Sequence, residues 1–251
     1  MRRMMSFTTA LVFGLSSAIA ANAGTFSDDQ KKEMEVIVHS YLTDHPEILN
    51  EMVEKLKIKE EKDVATAQID TLDTSSKSIF HNVNDGVVGN PNGDVTIVEF
   101  MDYNCSWCHK SIKIVQELVK KDKNLRVVLK EWPIFGAGSE AGARAAMAAA
   151  KQGKYWELHQ ALFAFQGQVT SEVVMQVAKA NGLDMAKLKA DMSSPEVDAN
   201  LASTLQLATA LKFTGTPGFL VNKNVFPGFM DLARMESMVA EERAKGVCKD
   251  C

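Results

Sequence analysis

One stretch limits the fold of this chain more than any other: Val95-Thr-Ile-Val-Glu-Phe-Met-Asp-Tyr-Asn-Cys-Ser-Trp-Cys-His-Lys110. The apolar, β-branched run Val95 to Met101 predicts a buried strand. A short polar turn, Asp102-Tyr103-Asn104, follows it. Beyond the cysteines, Ile112, Val115, Leu118 and Val119 recur at helical spacing. Cys105 and Cys108 therefore sit where a strand hands over to a helix. The first turn of a helix carries unpaired N–H groups and the positive end of the macrodipole, which stabilise a thiolate. The thiolate is the nucleophile of disulfide exchange, and Cys108 is near enough to resolve a mixed disulfide. The same local pattern serves two other chemistries. Cys-x-x-Cys is half of many zinc sites, and Cys105-Ser-Trp-Cys-His109 has the form of a c-type haem attachment sequence.

The export pattern at the start bears on that choice. Arg2 and Arg3 precede an apolar run from Thr8 to Ala20, and Ala21-Asn22-Ala23 forms a small-residue cleavage site before Gly24. Ala18-Ile19-Ala20 is a second such site. Residues 1–23 are expected to be a signal peptide, with an uncleaved anchor as the alternative. The run is too short to span a bilayer, and no cysteine lies near the cleavage site for lipidation. The expected location is a bacterial periplasm, with outer-membrane association left open. Disulfides persist there, which favours thiol chemistry for Cys105 and Cys108.

With 251 residues, the chain can build one sizeable core and an appendage. Its net charge of −4 leaves no electrostatic case for binding nucleic acid. The appendage is expected at residues 24–78. Ser27 with Gln30 suits a capping box, and Met34, Ile37, Val38, Tyr41 and Leu42 share one helical face. Pro46 restarts the helix, and Ile48, Leu49, Met52, Val53 and Leu56 line the next one. Thr71 to Ser78 is rich in Ser and Thr and reads as a linker. Two short amphipathic helices cannot bury their faces alone. The expectation is self-association into a homo-oligomer; the alternative is docking on the same chain.

The main domain is expected from Ile79. Asn90-Pro-Asn-Gly-Asp94 is turn chemistry, and Leu125 to Lys130 predicts a second strand parallel to the first. From Ser139 to Phe213 the pattern is helical throughout, with His159 and the aromatics Tyr155, Trp156 and Phe163 expected in a core. Gly218 to Val221 predicts a strand and Asn222-Lys223-Asn224 a hairpin turn into Val225 and Phe226. Leu232 to Ala244 predicts a final helix. Thr216-Pro217, at the entry of a strand, is a place for a cis bond.

Together, Val98-Glu-Phe-Met-Asp-Tyr-Asn-Cys-Ser-Trp-Cys-His109, the helical insert and Thr214-Gly-Thr-Pro-Gly-Phe219 resemble the DsbA family of thiol-disulfide oxidoreductases. Tyr41-Leu-Thr-Asp-His-Pro-Glu-Ile-Leu49 resembles the oligomerising extension of its ScsC-like and outer-membrane-antigen-like branches. The resemblance implies an α/β thioredoxin fold interrupted by an all-helical domain. Its parts would be 79–138 and 214–246 for the thioredoxin frame, 139–213 for the insert and 247–251 for a closing Cys-x-x-Cys. It implies Cys105 as nucleophile, Cys108 as resolving cysteine, Thr216 and Pro217 as the cis-Pro loop, and Glu99 as a buried acid that moves protons at Cys108. Ser106 and Trp107 would meet the substrate. Unfolded or misoxidised exported proteins, and a DsbB-like or DsbD-like membrane partner, would be the redox counterparts. No cofactor and no metal enter this reading.

Two features depart from the family pattern. The best-known oxidases carry Pro-His between the cysteines, where this chain has Ser106-Trp107, so a strongly oxidising poise does not carry over. The closing Gly246-Val-Cys-Lys-Asp-Cys251 has no family role; a local Cys248–Cys251 disulfide is expected there, with an intermolecular disulfide, transient exchange with the active site and metal capture as the alternatives. A haem electron carrier using Cys105, Cys108 and His109, and a surface antigen with incidental thiols, are the alternative functions. Oxidation, isomerisation and reduction all remain open at this level.

Overall fold

In a computed structural model, residues 26–248 and 250–251 are described. The expected signal peptide lies outside the described residues. The described residues form a five-stranded sheet and nine α-helices. The described residues divide into two compact units, 26–57 and those from 58 onward.

In the first unit, α1 spans Asp28–Asp44 and starts at a reciprocal capping box between Ser27 and Gln30. None of its residues is buried. Ile37, Val38, Tyr41 and Leu42 are exposed in the single chain, as are Leu49, Met52, Val53 and Leu56 on the first turns of α2 (Glu47–Phe80).

α2 runs from Glu47 to Phe80 without a break, and the division between units falls inside it. The expected linker at Thr71 to Ser78 is therefore corrected to helix. The reason is tertiary. Leu72, Ile79 and Phe80 are buried against the sheet, and the Thr71 and Thr74 hydroxyls are satisfied by carbonyls one turn back, on Ala67 and Asp70. Packing overrides the local preference of Ser and Thr for loops.

The sheet of the second unit has the order β1-β3-β2-β4-β5. Its strands are β1 Gly86–Gly89, β2 Val95–Met101, β3 Leu125–Glu131, β4 Gly218–Val221 and β5 Asn224–Pro227. β2 and β3 are parallel, joined through α3 (Cys108–Lys121); the other pairs are antiparallel. Every residue of β2 and β3 is buried, as strands covered on both faces must be. One face carries Ile97, Val127, Phe219 and Val221 against α3, the last helix α9 (Leu232–Ala244) and the helical insert. The other carries Val98, Phe100, Val128 and Leu220 against α2 and the end of α8 (Pro195–Ala210).

The insert consists of α4 Ala137–Ala150, α5 Tyr155–Ala164, α6 Ser171–Ala180, α7 Met185–Met192 and α8 Pro195–Ala210. Ala145, Ala146, Ala148 and Ala149 of α4 are fully buried, because small side chains let several helices close around one. β1 is a strand that the sequence pattern did not announce. At its start Gly86 lies under the Tyr155 ring, where a Cβ would come within 2.1 Å of the aromatic carbons. A buried ion pair between Lys130 and Asp85 anchors this edge, with Asn200 of α8 donating to Asp85 at 3.1 Å.

Candidate active site

The site is built where β2 ends. Asp102 is 1% exposed and makes the first clamp. Its Oδ1 accepts from the Asn104 N–H at 2.7 Å and the Ser139 hydroxyl at 2.7 Å; its Oδ2 accepts from the N–H groups of Ile134 and Phe135 at 2.7 and 3.1 Å. A buried carboxylate with four donors is satisfied and rigid. Asn104 ties the same turn to the insert, donating to the Val169 carbonyl at 3.0 Å and accepting from the Val169 N–H at 2.8 Å.

Below the turn, the Tyr103 and Tyr155 hydroxyls both donate to Oε1 of buried Glu131, at 2.9 and 2.8 Å. Burial, ahead of every other influence, raises the Glu131 carboxyl well above the usual range. His159 stacks with Tyr155 and with Trp156, and burial lowers its ring to about 3, so it is neutral. These residues hold the turn but carry no motif of their own. Asp102, Asn104 and Glu131 were not legible as positioning residues, because apart from the Asn104 N–H on Asp102 their partners lie 24 to 65 positions away.

Cys105 follows the turn, its N–H donating to the Asp102 carbonyl at 3.1 Å. α3 begins only at Cys108, with Trp107 as N-cap. Cys105 thus stands just ahead of the helix, facing its open N–H groups. Both cysteines are free thiols, Cys105 3% and Cys108 0% exposed. The hydrogen bond from the Cys108 thiol is the main cause that lowers Cys105 to about 6; Thr216 and the N–H groups of Cys108 and Trp107 assist, and burial opposes them. Cys108 moves far upward, chiefly by burial. The two thiols are pushed apart in the way a nucleophile and a resolving thiol require.

Opposite Cys105 stands the Thr216–Pro217 bond, which is cis. The Cys105 thiol donates to the Thr216 carbonyl at 3.2 Å. The Thr216 hydroxyl is buried without a partner among the described residues. It is a donor free to turn to the sulfur once Cys105 ionises. Glu99 lies within β2, 3% exposed, between Leu129 and Phe219. Burial first, then the charge of Cys105, raises it to about 8, with the Ser111 hydroxyl opposing.

Ser106 and Trp107 are exposed. The Trp107 ring packs against Phe229 at 5.2 Å and carries the Lys110 ammonium 3.8 Å from its centroid. Beside the cysteines an open hollow of about 600 Å³ is lined by Asn104, Ser106, His109, Phe135, Phe165 and Gln168. His109 does not face outward as an axial haem ligand: its ring nitrogens lie 2.8 Å from the Tyr103 carbonyl and 3.0 Å from the Phe163 carbonyl. Cys248 and Cys251 are joined by a disulfide.

A strand, a cysteine pair at a helix start, and a cis-proline loop facing the first cysteine define the class of thioredoxin-fold thiol proteins, here with a helical domain inserted. The comparisons agree. Residues 96–240 match the model of the DSBA-like thioredoxin domain, and the chain belongs to that family. Residues 30–62 match the Copper resistance protein ScsC N-terminal domain.

A thioredoxin-like oxidoreductase from Silicibacter pomeroyi DSS-3 is 45% identical with a TM-score of 0.66, covering 67% of this chain and 97% of its own. BcfH of Salmonella enterica Typhimurium is 26% identical with a TM-score of 0.68, over 86% of this chain and 96% of its own. Among curated proteins, "Na(+)/H(+) antiporter NhaA 1" of Salinispora arenicola is 28% identical over 157 residues, 62% of this chain. The match spans only about a quarter (24%) of that relative's length. Among the described residues of this chain, no helix is long and apolar enough to cross a membrane.

Proposed function

We propose that this chain is a periplasmic thiol–disulfide oxidoreductase that forms, rearranges or reduces disulfides in exported proteins through Cys105 and Cys108. One observation carries the reading: a thiol lowered to about 6 faces the Thr216 carbonyl, while its partner thiol is buried and raised. In oxidation, a substrate thiolate attacks Cys105 of the Cys105–Cys108 disulfide, and Cys108 leaves as a thiolate. Neutral Glu99 supplies the proton that Cys108 takes up. A second substrate thiolate then displaces Cys105, which leaves readily because its thiolate is stabilised. In isomerisation the Cys105 thiolate attacks a substrate disulfide, and ionised Glu99 takes the Cys108 proton if resolution is needed. Thr216 presents its backbone to an extended substrate, and Trp107 and Ser106 meet its side chains.

The export pattern of residues 1–23 supports the location. The uncovered apolar faces of α1 and the first turns of α2, with the ScsC-like match over residues 30–62, support a homo-oligomer joined there. The redox counterpart is a membrane protein of DsbB-like or DsbD-like function.

Refolding of scrambled ribonuclease tests the activity: Cys105→Ser should abolish it, and retained activity would refute the reading. Deleting residues 26–57 should give a monomer by light scattering, with isomerase activity reduced more than the reduction of insulin. An oligomer that survives the deletion would refute the role of these helices.

A further inference from the structure

The oxidised pair Cys248–Cys251 lies outside the chemistry described so far. α9 ends at Ala244, and Gly246, at φ 95°, turns the chain back onto the body. Cys251, like Val225, then packs against the apolar cluster that includes Leu72, Ile79, Phe80 and Leu220. Polar ties surround it. The Ser76 hydroxyl of α2 donates to the Asp250 carbonyl at 2.6 Å. The Lys223 ammonium, at the β4–β5 turn, lies 3.6 Å from the Asp250 carboxylate and 3.8 Å from that of Asp73 on α2. The disulfide loop thus bridges α2 and the β4–β5 hairpin.

The sheet register puts this loop far from Cys105. Val221, next to the hairpin turn, pairs with Ile97 near the start of β2, whereas Cys105 follows the end of that strand. Ile97 and Met101 are four residue steps apart along the strand, about 13 Å at ~3.3 Å per residue. The turn adds further distance before the thiol. The two pairs do not exchange within one chain in this arrangement.

We propose that Cys248 and Cys251 form a second thiol–disulfide exchange site, a latch that fastens α2 to the β4–β5 hairpin when oxidised and frees it when a dithiol reduces it. A thiolate of the dithiol attacks one sulfur of the pair, and the other cysteine leaves as a thiolate and takes a proton. The dithiol's second thiolate displaces the mixed disulfide. Two electrons and two protons reach Cys248 and Cys251, and the dithiol departs as a disulfide. Both cysteines are half-buried and accessible from the surface. The loop they close is four residues long, so chain entropy protects the bond little. Docking holds it instead: Cys251 and the Asp250 carbonyl meet the body in the shape that the closed loop gives them. By linkage, docking and oxidation favour each other to the same extent.

Peptide-resolved hydrogen exchange and alkylation on the full chain, with dithiothreitol as the dithiol, test this. Reduction should speed exchange in residues 70–80 and 219–227, and leave residues 171–192 unchanged. The C248S/C251S variant should show the faster exchange from the start, with no further change on reduction. That arm separates the latch from reduction at Cys105 and Cys108, so the result stands whichever way the proposed activity fares. Ser76→Ala should shift the Cys248–Cys251 equilibrium in a glutathione buffer toward the dithiol by about fivefold, the worth of one hydrogen bond. Equal protection of residues 70–80 in the oxidised and reduced chain, pair thiols that dithiothreitol does not release from the folded protein, or an equilibrium unmoved by Ser76→Ala would each overturn the proposal.

Discussion

Glu99→Gln should change how stability depends on pH, and the size of the change can be worked out. Glu99 titrates at about 8 in the folded chain against an ordinary 4.5, with burial the main cause. A carboxyl raised on folding binds more protons in the native than in the unfolded state. Its contribution is fully present below about pH 4.5 and is lost as pH rises toward 8. The slope is about 1.4 kcal/mol per pH unit.

Cys105 works the other way. Its folded value of about 6 lies below the ordinary 9.0, so the reduced chain gains stability as pH rises through that interval. Between about pH 4.5 and 6 only the first effect acts at these two groups, and it amounts to about 2 kcal/mol. Above pH 6 the slopes oppose each other.

Urea unfolding of the reduced parent and of Glu99→Gln, across that lower window, reads the difference directly. Other buried acids, such as Glu131, contribute equally to both proteins and cancel. The variant should gain about 2 kcal/mol on the parent from pH 4.5 to 6. In the disulfide form Cys105 carries no charge, so the window should run past pH 6 yet close below 8. Parallel curves for parent and variant would refute the argument, because they would mean that Glu99 is not held neutral by its surroundings.

Replacing Cys108 by Ala removes the hydrogen bond that most lowers Cys105; thiolate absorbance near 240 nm should then move its midpoint from about 6 toward the ordinary thiol range, and an unmoved midpoint would give the stabilisation to the N–H groups and Thr216 alone. Leu72→Ala should cost about 2–4 kcal/mol in urea unfolding, as truncation of a buried leucine does; a linker residue would cost almost nothing, so a negligible loss would restore the linker reading of Thr71 to Ser78.

How much of this was legible before the structure depends on where each residue finds its partners. Val95 to Met101 and Gly218 to Val221 declare themselves as strands because both faces are buried and their apolar runs are continuous. β1 does not: Val87 and Val88 between two glycines become a strand only by pairing with Val127 and Val128. In α2, the Ser and Thr content of residues 71–78 is a local signal for a loop, while the helix depends on Leu72, Ile79 and Phe80 meeting a sheet formed elsewhere. The site divides along the same line. Cys105, Cys108 and Thr216-Pro217 belong to short motifs. The clamp on Asp102 joins β2 to residues 134, 135 and 139, and no local pattern encodes such a meeting.

The poise of the cysteine pair follows from the donors around Cys105 rather than from a histidine between the cysteines. Stabilising the thiolate stabilises the dithiol, which makes the disulfide more oxidising. Thioredoxin, with a thiol near 7 and a potential of about −270 mV, gives one reference. A thiol at about 6 favours the reduced form about fivefold more at pH 7, which raises the potential by about 20 mV. DsbA, with a thiol near 3.5 and about −120 mV, gives the other. Here the thiolate is about 300-fold less favoured, which lowers the potential by about 70 mV. The pair should therefore lie between about −250 and −190 mV, measured against glutathione in the C248S/C251S variant. That interval reaches toward the potential of an isomerase rather than that of a strong oxidant, in keeping with the isomerase activity proposed above. A value above about −150 mV would refute the argument, because the thiolate at Cys105 could not then be the main term favouring the dithiol.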